Sequence, residues 1–351
     1  MAFSNDLLHW YEEHGRTLPW RGIDDPYRIW LSEIILQQTR IEQGRDYYLR
    51  FVERYPTVRH LAAATEEVVL KSWQGLGYYS RARNLHSAAR QIVEQHEGRF
   101  PSTYDEIRAL KGVGRYTAAA IASFAFRLPY PVIDGNVYRV AARYFDIDTP
   151  IATDQAYSLF EQRLLQVMDR ERPDLFNQAM MDFGSLCCKA ANPLCDTCIF
   201  ARSCAALQRG KVALLPVRAK AAPSRHRYFY YIDTATEEHD RRLMQQRTER
   251  DIWRGLYELP LIESDEPLGD DELRRRIDEL LAPYSDTAPA QITVRYETLH
   301  KLTHQTLHAT FLQAKTRKLH DAPSARARLF DPEEVKKLPV SRLTDKYLSE
   351  R

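Results

Sequence analysis

Four cysteines constrain the fold of this chain more than any other feature. They are Cys188, Cys195, Cys198 and Cys204, with the spacing C-x6-C-x2-C-x5-C. Four thiolates at this density can close a short, irregular segment around one metal centre, which is either an iron–sulfur cluster or a zinc ion. Zinc ribbons usually pair two C-x2-C knuckles across a longer spacer, and this segment has a single knuckle. The spacing therefore favours a [4Fe–4S] cluster.

Two other interpretations of these cysteines stay open, namely a zinc site and free thiols packed into a core. Disulfides are not expected, because residues 1–15 contain neither the basic nor the apolar region of a secretory signal peptide. We expect an intracellular, reducing compartment, in which disulfides are rare. Cys187 stands outside the spacing, and we predict that it is a small buried hydrophobic residue rather than a fifth ligand.

The length and the net charge of the chain exclude few classes of fold or partner. A chain of 351 residues can form two domains, each with its own core. The 50 Lys and Arg residues nearly balance the 48 Asp and Glu residues, so the overall charge indicates no particular partner. No apolar run approaches the length of about 18 residues that a membrane span requires. We therefore expect no association with a membrane.

Helical periodicity dominates the chain as far as about residue 210. Apolar residues recur at steps of three and four, and Gly or Pro separates the periodic segments. We predict an all-α domain over residues 1–213 that includes the cysteine segment 188–204. The predicted helical segments are 27–39, 61–73, 80–95, 103–110 and 115–126.

A second domain is predicted after a linker over 214–226, which is rich in Ala, Pro and basic residues. Beyond the linker, short stretches of aromatic and β-branched residues are typical of strands. The predicted strands are 227–233, 291–298 and 306–313, and the predicted helices are 270–282 and 331–338. We therefore predict a smaller α+β domain over residues 227–351.

The stretch LKGVGRYTA (110–118) lies between two of the helical segments. Gly112 and Gly114 permit a tight hairpin, and the backbone N–H groups at the start of the next helix can hold a phosphate. An ordinary turn between helices would have a similar sequence. Both interpretations of the two glycines therefore stay open at this point.

Two acidic residues stand in settings that suit either catalysis or ordinary structure. Asp134, in VIDGNVYRV (132–140), precedes a Gly-Asn turn and a new helix, which its carboxylate could simply cap. Glu33, in LSEIILQQT (31–39), interrupts a strongly apolar helix, and such a residue commonly lies on the solvent-facing side. If Glu33 instead faces a cleft, burial would raise its pKa above about 4.3 and make it a usable general acid.

In their order along the chain, these motifs resemble those of the helix-hairpin-helix DNA glycosylase superfamily, most closely its adenine DNA glycosylase (MutY-type) branch. The resemblance covers nearly the whole chain. The residues that carry it are LSEIILQQT, GLGYYSRARNL, LKGVGRYTA, VIDGNVYRV, FNQAMMDFGS and the four cysteines. The resemblance implies two helical lobes with the active site in the cleft between them, and a [4Fe–4S] cluster on the cysteines.

The resemblance also implies a catalytic role for four residues and a substrate-binding role for a fifth. Adenine must leave the duplex and enter a pocket before an enzyme can act on it. Glu33 would then protonate N7 of adenine, and an ionised Asp134 would stabilise the oxocarbenium-like C1′. By similarity, Tyr116 lies near the two carboxylates, Arg21 lies near the adenine and Asn136 lies near the reacting centre.

One position in the hairpin separates the branches of this superfamily. Bifunctional relatives of the endonuclease III type carry a lysine there, which forms a Schiff base with the sugar and leads to strand cleavage. This chain has Tyr116 at that position, and a phenol cannot form an imine. The sequence therefore favours base excision without an efficient lyase step, because Lys111 in the hairpin turn is a poor substitute.

Three further residues are implied to contact the DNA by similarity. Gln38 and Tyr78 would wedge into the base stack, and Thr39 would touch the base opposite the adenine. Without the resemblance, Tyr78 would fit the pattern of a core aromatic residue equally well.

The second domain resembles the Nudix-like lesion-recognition domain of the same branch, notably at DIWRGLYELP (251–260). It lacks the Glu-rich helix of Nudix hydrolases, so we expect it to recognise DNA and to hydrolyse no nucleotide. Relatives carry a Phe-Ser-His loop that contacts 8-oxoguanine, and this chain has Leu302, Thr303 and His304 there. Thr303 keeps the hydroxyl, whereas Leu302 lacks the aromatic ring.

Three hypotheses of function follow from these observations. The favoured one is a monomeric, monofunctional glycosylase of base excision repair, which removes adenine mispaired with 8-oxoguanine or G in double-stranded DNA and leaves an abasic site. A pyrimidine-lesion glycosylase with lyase activity is less favoured because of Tyr116 and the second domain. A non-catalytic iron–sulfur protein that binds DNA is less favoured because Glu33 and Asp134 are both present.

Overall fold

Two compact units make up the structure, which is a computed structural model. The first unit comprises Met1–Ala63 and Asn84–Lys220, and the second comprises Ala64–Arg83 and Ala221–Arg351. The structure describes residues 2–151, 153–218, 224–236, 240–322 and 326–349. Residues 219–223 of the predicted linker therefore lie outside the described residues.

The segment 64–83 packs with the second unit, although its sequence pattern places it in the helical domain over 1–213. Because the segment lies far along the chain from the rest of that unit, local periodicity carries no signal for this packing. The domain limits 1–213, 214–226 and 227–351 stay a prediction.

Helices form the first unit, as the three- and four-residue periodicity predicts. In the described part of the chain, no helix combines the length and the apolar character that crossing a membrane demands. Up to residue 208 the helices are α1 (Ala2–His14), α2 (Pro26–Ile35), α3 (Ile41–Arg54), α4 (Val58–Ala63), α5 (Glu66–Trp73), α6 (Ser80–Gln95), α7 (Tyr104–Ala109), α8 (Arg115–Phe126), α9 (Gly135–Phe145), α10 (Asp154–Val167), α11 (Pro173–Leu186) and α12 (Ala205–Gln208).

Helix α2 is shorter than the predicted segment 27–39. Asp25 caps its start, since the carboxylate accepts a hydrogen bond from the N–H of Tyr27 at 2.9 Å, and Pro26 occupies the first turn. The helix ends at Ile35. Gln38 follows with a φ of 55°, in the left-handed region, which is incompatible with a continuing right-handed helix.

The predicted helix 61–73 is two helices in the structure. Helix α4 ends at Ala63, and α5 begins at Glu66 after a cap at Thr65, whose hydroxyl accepts from the N–H of Val68 at 3.4 Å. The break falls at the boundary between the two units. The apolar spacing alone did not reveal this break.

Helix α8 is buried along most of its length in the first unit. Residues 117–123 of this helix are all buried, because four alanines among them let α2, α7 and α11 pack against several of its sides. The hairpin between α7 and α8 needs a glycine at Gly112, where φ is 76°. A Cβ atom there would lie 2.5 Å from Cβ of Asn84.

Two sheets and three helices form most of the second unit beyond residue 223, and α5 belongs to the same unit. The larger sheet has the order β4-β1-β6-β5, with β1 parallel to β6 and the other neighbours antiparallel, and the smaller sheet has the order β3-β2-β7. The elements are β1 (Arg225–Thr236), β2 (Arg242–Gln246), β3 (Tyr257–Glu258), β4 (Leu261–Ser264), α13 (Asp270–Leu281), β5 (Gln291–Lys301), β6 (Gln305–Thr316), β7 (Ala327–Phe330), α14 (Pro332–Lys337) and α15 (Arg342–Ser349).

Both faces of the larger sheet are covered by hydrophobic cores. On β1, Phe229 and Tyr231 belong to one core, whereas Tyr230 and Ile232 belong to the other. A central strand with two buried faces has a continuous rather than an alternating apolar pattern, which explains the run of aromatic residues in RYFYYI.

Side-chain hydrogen bonds fix the segment 64–83 within the second unit. Nε2 of Gln74 donates to Oδ1 of Asp345 at 2.8 Å, and the hydroxyl of Tyr79 donates to the carbonyl of Val340 at 3.1 Å. Trp73, in the same segment, is fully buried. The segment is therefore an integral part of the second unit.

Replacing Gly255 with alanine is expected to destabilise the second unit. Gly255 has a φ of 83°, and a Cβ atom there would lie 3.1 Å from Cδ1 of Leu70 in the segment 64–83. The left-handed conformation alone costs a residue with a side chain about 1–2 kcal/mol. Thermal unfolding should show a lower midpoint for Gly255→Ala. Gly269→Ala is the matched control, because its Cβ atom would meet nothing within 4 Å; equal losses in both variants would contradict this account.

Candidate active site

A cavity of about 780 Å³ in the first unit collects most of the residues that the sequence singled out. The helix α2, the hairpin and the start of α9 all contribute to its wall. The predicted residues that line it are Arg21, Glu33, Gln38, Thr39, Gly112, Gly114, Tyr116, Asp134 and Asn136.

Glu33 is a buried acid at the wall of this cavity. It is 7% exposed, so the alternative of a solvent-facing side chain on α2 is wrong. Burial raises its pKa from 4.5 to about 7, and the charge of Asp134 adds to the rise. A hydrogen bond with Tyr116 and the charge of Arg21 oppose the rise. A substantial fraction of Glu33 is therefore protonated at neutral pH and able to donate a proton.

Asp134 caps a helix and also faces the cavity. Its Oδ1 accepts from the N–H groups of Asn136 at 2.9 Å and Val137 at 2.8 Å, and its Oδ2 accepts from Nδ2 of Asn136 at 2.8 Å. Burial raises the pKa of Asp134 above its usual value, and these three hydrogen bonds limit the rise because they favour the carboxylate form. Asp134 therefore both caps helix α9 and faces the cavity, because the hydrogen bonds of the cap orient its carboxylate.

Both acids of the cavity affect the ionisation of Tyr116. Burial, followed by the charges of Glu33 and Asp134, raises its pKa well above 10, so the phenol stays protonated. It forms a hydrogen bond with Glu33. A neutral hydroxyl at this place can orient the carboxyl group of Glu33 but cannot supply an amine.

A buried ion-pair network around Asp182 was not found by the sequence reasoning. The side chain of Asp182 is fully buried and accepts from Arg21 at 2.6 and 2.8 Å and from Nε of Arg16 at 2.8 Å. Burial opposes ionisation of this carboxyl, but the hydrogen bonds from the two arginines hold its pKa below 3.8. Asp182 thereby fixes Arg21 at the wall of the cavity.

Gln178 is a second residue that the sequence reasoning missed. It lines the cavity and accepts a hydrogen bond from the hydroxyl of Tyr11 at 2.9 Å through its Oε1. Gln178 and Asp182 stand four residues apart in FNQAMMDFGS, so they share one face of helix α11. That spacing of polar residues in an apolar helix was the available signal.

A chain of hydrogen bonds joins the cavity to the cysteine segment. Nη2 of Arg139 donates to Oδ1 of Asn136 at 2.8 Å, and its Nε donates to the carbonyl of Cys188 at 2.7 Å. Gly184 permits this arrangement, because a Cβ atom there would lie 2.7 Å from Cβ of Asn136. The orientation of Asn136, and through it Asp134, therefore depends on the cysteine segment.

The side chains of the four predicted ligands line one small cavity together with Cys187. Nη1 of Arg143 lies 3.4 Å from Sγ of Cys188, and the N–H of Phe200 lies 3.4 Å from Sγ of Cys198. In the described ranges, no three His, Cys, Asp or Glu side chains are grouped as the ligands of a single metal ion. Cys187 is buried in the hydrophobic core of the first unit, as predicted.

The remaining predicted site residues belong to the second unit. The hydroxyls of Tyr78 and Thr303 lie 2.6 Å apart, and Tyr78 is 48% exposed, which contradicts the alternative of a core aromatic residue. His304 is exposed, whereas Leu302 is partly buried and packs against a core of this unit.

Comparisons with known proteins match two parts of the chain to described families. Residues 31–166 match the model of the HhH-GPD superfamily of base excision DNA repair proteins, and residues 234–350 match a NUDIX domain. The fold resembles a thermostable thymine-DNA glycosylase, with a TM-score of 0.56 and 26% identity over 59% of this chain and 96% of that chain. Endonuclease III bound to DNA shares the fold, with a TM-score of 0.52 and 22% identity. The protein is thus a DNA glycosylase with an appended Nudix-like domain.

Sequence relatives identify the family of DNA glycosylases to which the chain belongs. An adenine DNA glycosylase of Buchnera aphidicola is 32% identical over 312 residues, which cover 88% of this chain and 84% of the relative. The mouse adenine DNA glycosylase is 41% identical over 230 residues, which cover 62% of this chain and 44% of the relative. The chain belongs to the adenine DNA glycosylase family.

Burial of Glu33 should make the stability of the protein depend on pH. The folded pKa of about 7 exceeds the ordinary 4.5, so the folded state holds an extra proton between these values. The destabilisation is absent below about pH 4.5, grows up to pH 7, and amounts to ~3 kcal/mol above it, at 1.36 kcal/mol per pKa unit.

Glutamine cannot ionise, so Glu33→Gln is expected to be more stable than the wild type at pH 8 and about equally stable at pH 4.5. Urea unfolding at both pH values measures the difference. Glu12→Gln, which removes an exposed carboxyl group on α1, is the control. A difference between Glu33→Gln and the wild type that is the same at both pH values would contradict the raised pKa.

Proposed function

We propose that the protein excises adenine from mispairs with 8-oxoguanine or guanine in double-stranded DNA, acting as a monomer. The single observation that carries the chemistry is the pair of carboxyl groups in one cavity, with the pKa of Glu33 raised to about 7 and Asp134 accepting three hydrogen bonds that favour its carboxylate form. Two carboxyl groups with separated pKa values are the arrangement that glycosidases use to cleave a bond at a sugar carbon.

The reaction begins when the adenine leaves the base stack and enters the cavity. Glu33 donates its proton to N7, which turns adenine into a neutral leaving group as the N-glycosidic bond breaks. The carboxylate of Asp134 stabilises the positive charge that develops at C1′. Water then adds to C1′ and gives a proton to the carboxylate of Glu33, which restores the acid and leaves free adenine and an abasic site.

Arg21, Asn136 and Tyr116 position these reacting groups. Arg21 is fixed by Asp182 and faces the adenine, and Asn136 orients the carboxylate of Asp134. Tyr116 holds the carboxyl group of Glu33 and, as a phenol, forms no Schiff base with the sugar. The protein therefore releases the base without efficient cleavage of the strand.

The hairpin and two exposed residues hold the DNA. Gly114 starts helix α8 without a side-chain cap, so the first N–H groups of that helix, together with the turn at Gly112, are available to a backbone phosphate. Gln38 is exposed with a φ of 55°, and it wedges into the stack, while Thr39 touches the opposite base. In the second unit, Tyr78 wedges into the stack and Thr303 and His304 contact the 8-oxoguanine.

The four ligands Cys188, Cys195, Cys198 and Cys204 hold a [4Fe–4S] cluster in this proposal. The fit rests on their shared cavity and on the N–H donors of Arg143 and Phe200 at two of the sulfur atoms, since such donors stabilise thiolates. When bound, the cluster would cross-link the irregular segment 188–204. Arg139, which donates to the carbonyl of Cys188 and to Asn136, would then hold Asn136 against a segment that the cluster fixes.

Glu33→Gln is expected to lower the single-turnover excision rate by about 10²–10⁴-fold, the contribution typical of a general acid. Affinity for the duplex should be retained. The measurement uses three duplexes, with adenine opposite 8-oxoguanine, adenine opposite G, and thymine glycol, each analysed before and after alkali. Wild-type rates in Glu33→Gln would refute the mechanism. Efficient borohydride trapping, or a preference for thymine glycol, would favour the bifunctional, endonuclease III-type alternative.

Cys198→Ser is expected to lose the cluster, whereas Cys187→Ala is expected to keep it. The purified wild type should contain about four iron atoms per chain and be yellow-brown if the four thiolates hold an iron–sulfur cluster. Iron and zinc are measured by elemental analysis of all three proteins. Wild-type protein with one zinc and no iron would contradict the cluster, and loss of iron in Cys187→Ala would contradict the assignment of the ligands.

A further inference from the structure

Two histidine side chains meet on the larger sheet of the second unit, and the proposed excision reaction uses neither of them. Nδ1 of His226, on β1, lies 2.8 Å from Nε2 of His308, on β6. Two N–H groups that face each other at this distance would repel, so a single proton lies between the two nitrogens. Neutral imidazole binds metal ions through either of its nitrogens. The pair therefore brings two metal-binding groups together.

The sheet fixes the positions of both rings. Strands β1 and β6 are parallel neighbours, in which His226 pairs with Thr306 and Tyr228 pairs with His308. Because side chains alternate between the two faces of a strand, these four residues share one face. The ring of Tyr228 also stacks on that of His308, with 4.4 Å between the ring centres and 18° between the planes. The two nitrogens are thus held close together by the backbone and by a neighbouring ring.

This end of the sheet face is open to solvent. His226 is exposed and His308 is half-buried. Further along the same strands, Tyr230 and Leu312 belong to the core that helix α13 covers, and the helix leaves the histidines outside it. On β5, Leu299 pairs with His308 and is 59% exposed. Water can therefore reach the two nitrogens and complete the coordination of an ion bound there.

A divalent transition-metal ion can take the place of the proton between the nitrogens. Imidazole nitrogens lie about 2.0–2.1 Å from zinc, so two of them on one tetrahedral ion stand ~3.3 Å apart. The nitrogens of His226 and His308 would have to separate by about 0.5 Å, which small rotations of the two rings provide. Imidazole suits Zn²⁺, Ni²⁺ and Cu²⁺, whereas Mg²⁺ and Ca²⁺ prefer oxygen ligands. The donor set therefore selects the first group of ions.

The charges of the neighbouring residues do not oppose a cation. Arg225, next to His226 in the chain, belongs to the opposite face and pairs with Asp265 at 2.6 Å. On β5, Glu297 and Lys301 share the face of the two histidines and have opposite charges. These charges therefore largely cancel near the pair.

We propose that His226 and His308 form a binding site for one divalent transition-metal ion of the kind that imidazole prefers, such as Zn²⁺ or Ni²⁺. Nδ1 of His226 and Nε2 of His308 are the protein ligands, and water molecules occupy the other positions. Because the ion binds the folded state, it cross-links β1 to β6 and stabilises the second unit. This site is separate from the cysteine segment and from the active-site cavity, which both belong to the first unit.

The test titrates the full-length protein, without a polyhistidine tag, with NiCl₂ in a calorimeter. The variants are His226→Ala, His308→Ala and the double variant. His320→Ala, which removes an exposed histidine elsewhere in the same unit, is the matched control. Thermal unfolding without metal checks that each variant is folded, and unfolding with NiCl₂ or MgCl₂ measures stabilisation by each ion. Binding to the cysteines would persist in the double variant and is thereby separated from binding to the pair.

The wild type is expected to bind one Ni²⁺ more than the double variant. Each single variant should lose at least about 10- to 100-fold in affinity at this site, because loss of a group that merely supports a metal ligand already costs that much. Ni²⁺ should raise the unfolding midpoint of the wild type and of His320→Ala more than that of the double variant. Mg²⁺ should raise none of them.

Equal Ni²⁺ binding in the wild type and the double variant would overturn the inference. A loss in only one of the two single variants would also overturn it, because a lone histidine would then account for the binding. Neither outcome bears on the excision of adenine, which is measured separately, so failure of this inference leaves the proposed function standing.

Discussion

A carboxyl group buried in an apolar helix is the constraint on which the active site depends. Glu33 is 7% exposed, and burial of its carboxyl group raises its pKa to about 7. Three neighbours set the protonation state of Glu33. The charge of Asp134 disfavours ionisation of Glu33, whereas the hydrogen bond from Tyr116 and the charge of Arg21 favour it and so limit the rise of the pKa. A carboxyl group with this pKa is able to donate a proton near neutral pH.

Buried ion pairs and hydrogen bonds fix the positions of the side chains around Glu33. Asp182, buried on α11, accepts hydrogen bonds from two arginines and so places Arg21 at the cavity. On α9, Asp134 is oriented by the helix start, and Arg139 connects Asn136 with the segment that carries Cys188. Because these connections run through buried side chains, loss of one partner leaves an unsatisfied charge or donor and should disturb the geometry of the site.

The second unit shows a different use of polar groups. Tyr78 and Thr303 are exposed, and each is fixed by its own loop rather than by burial. Their loops come from distant parts of the chain, and Gln74 and Tyr79 bond the segment 64–83 to the strands and helices that follow residue 224. The positions of these two surface side chains thus depend on contacts between distant parts of the chain.

The sequence by itself determined what depends on local pattern and chemistry. It determined the all-α region, the central strands, the hairpin glycines, the Asp134 cap and the buried Cys187, because periodicity, backbone freedom and capping act over a few residues. Tertiary structure alone decided the burial of Glu33, the clamp of Asp182 on Arg21, the break after Ala63 and the contact of Tyr78 with Thr303. These properties depend on which distant segments pack together, and a single sequence carries no local signal for that choice.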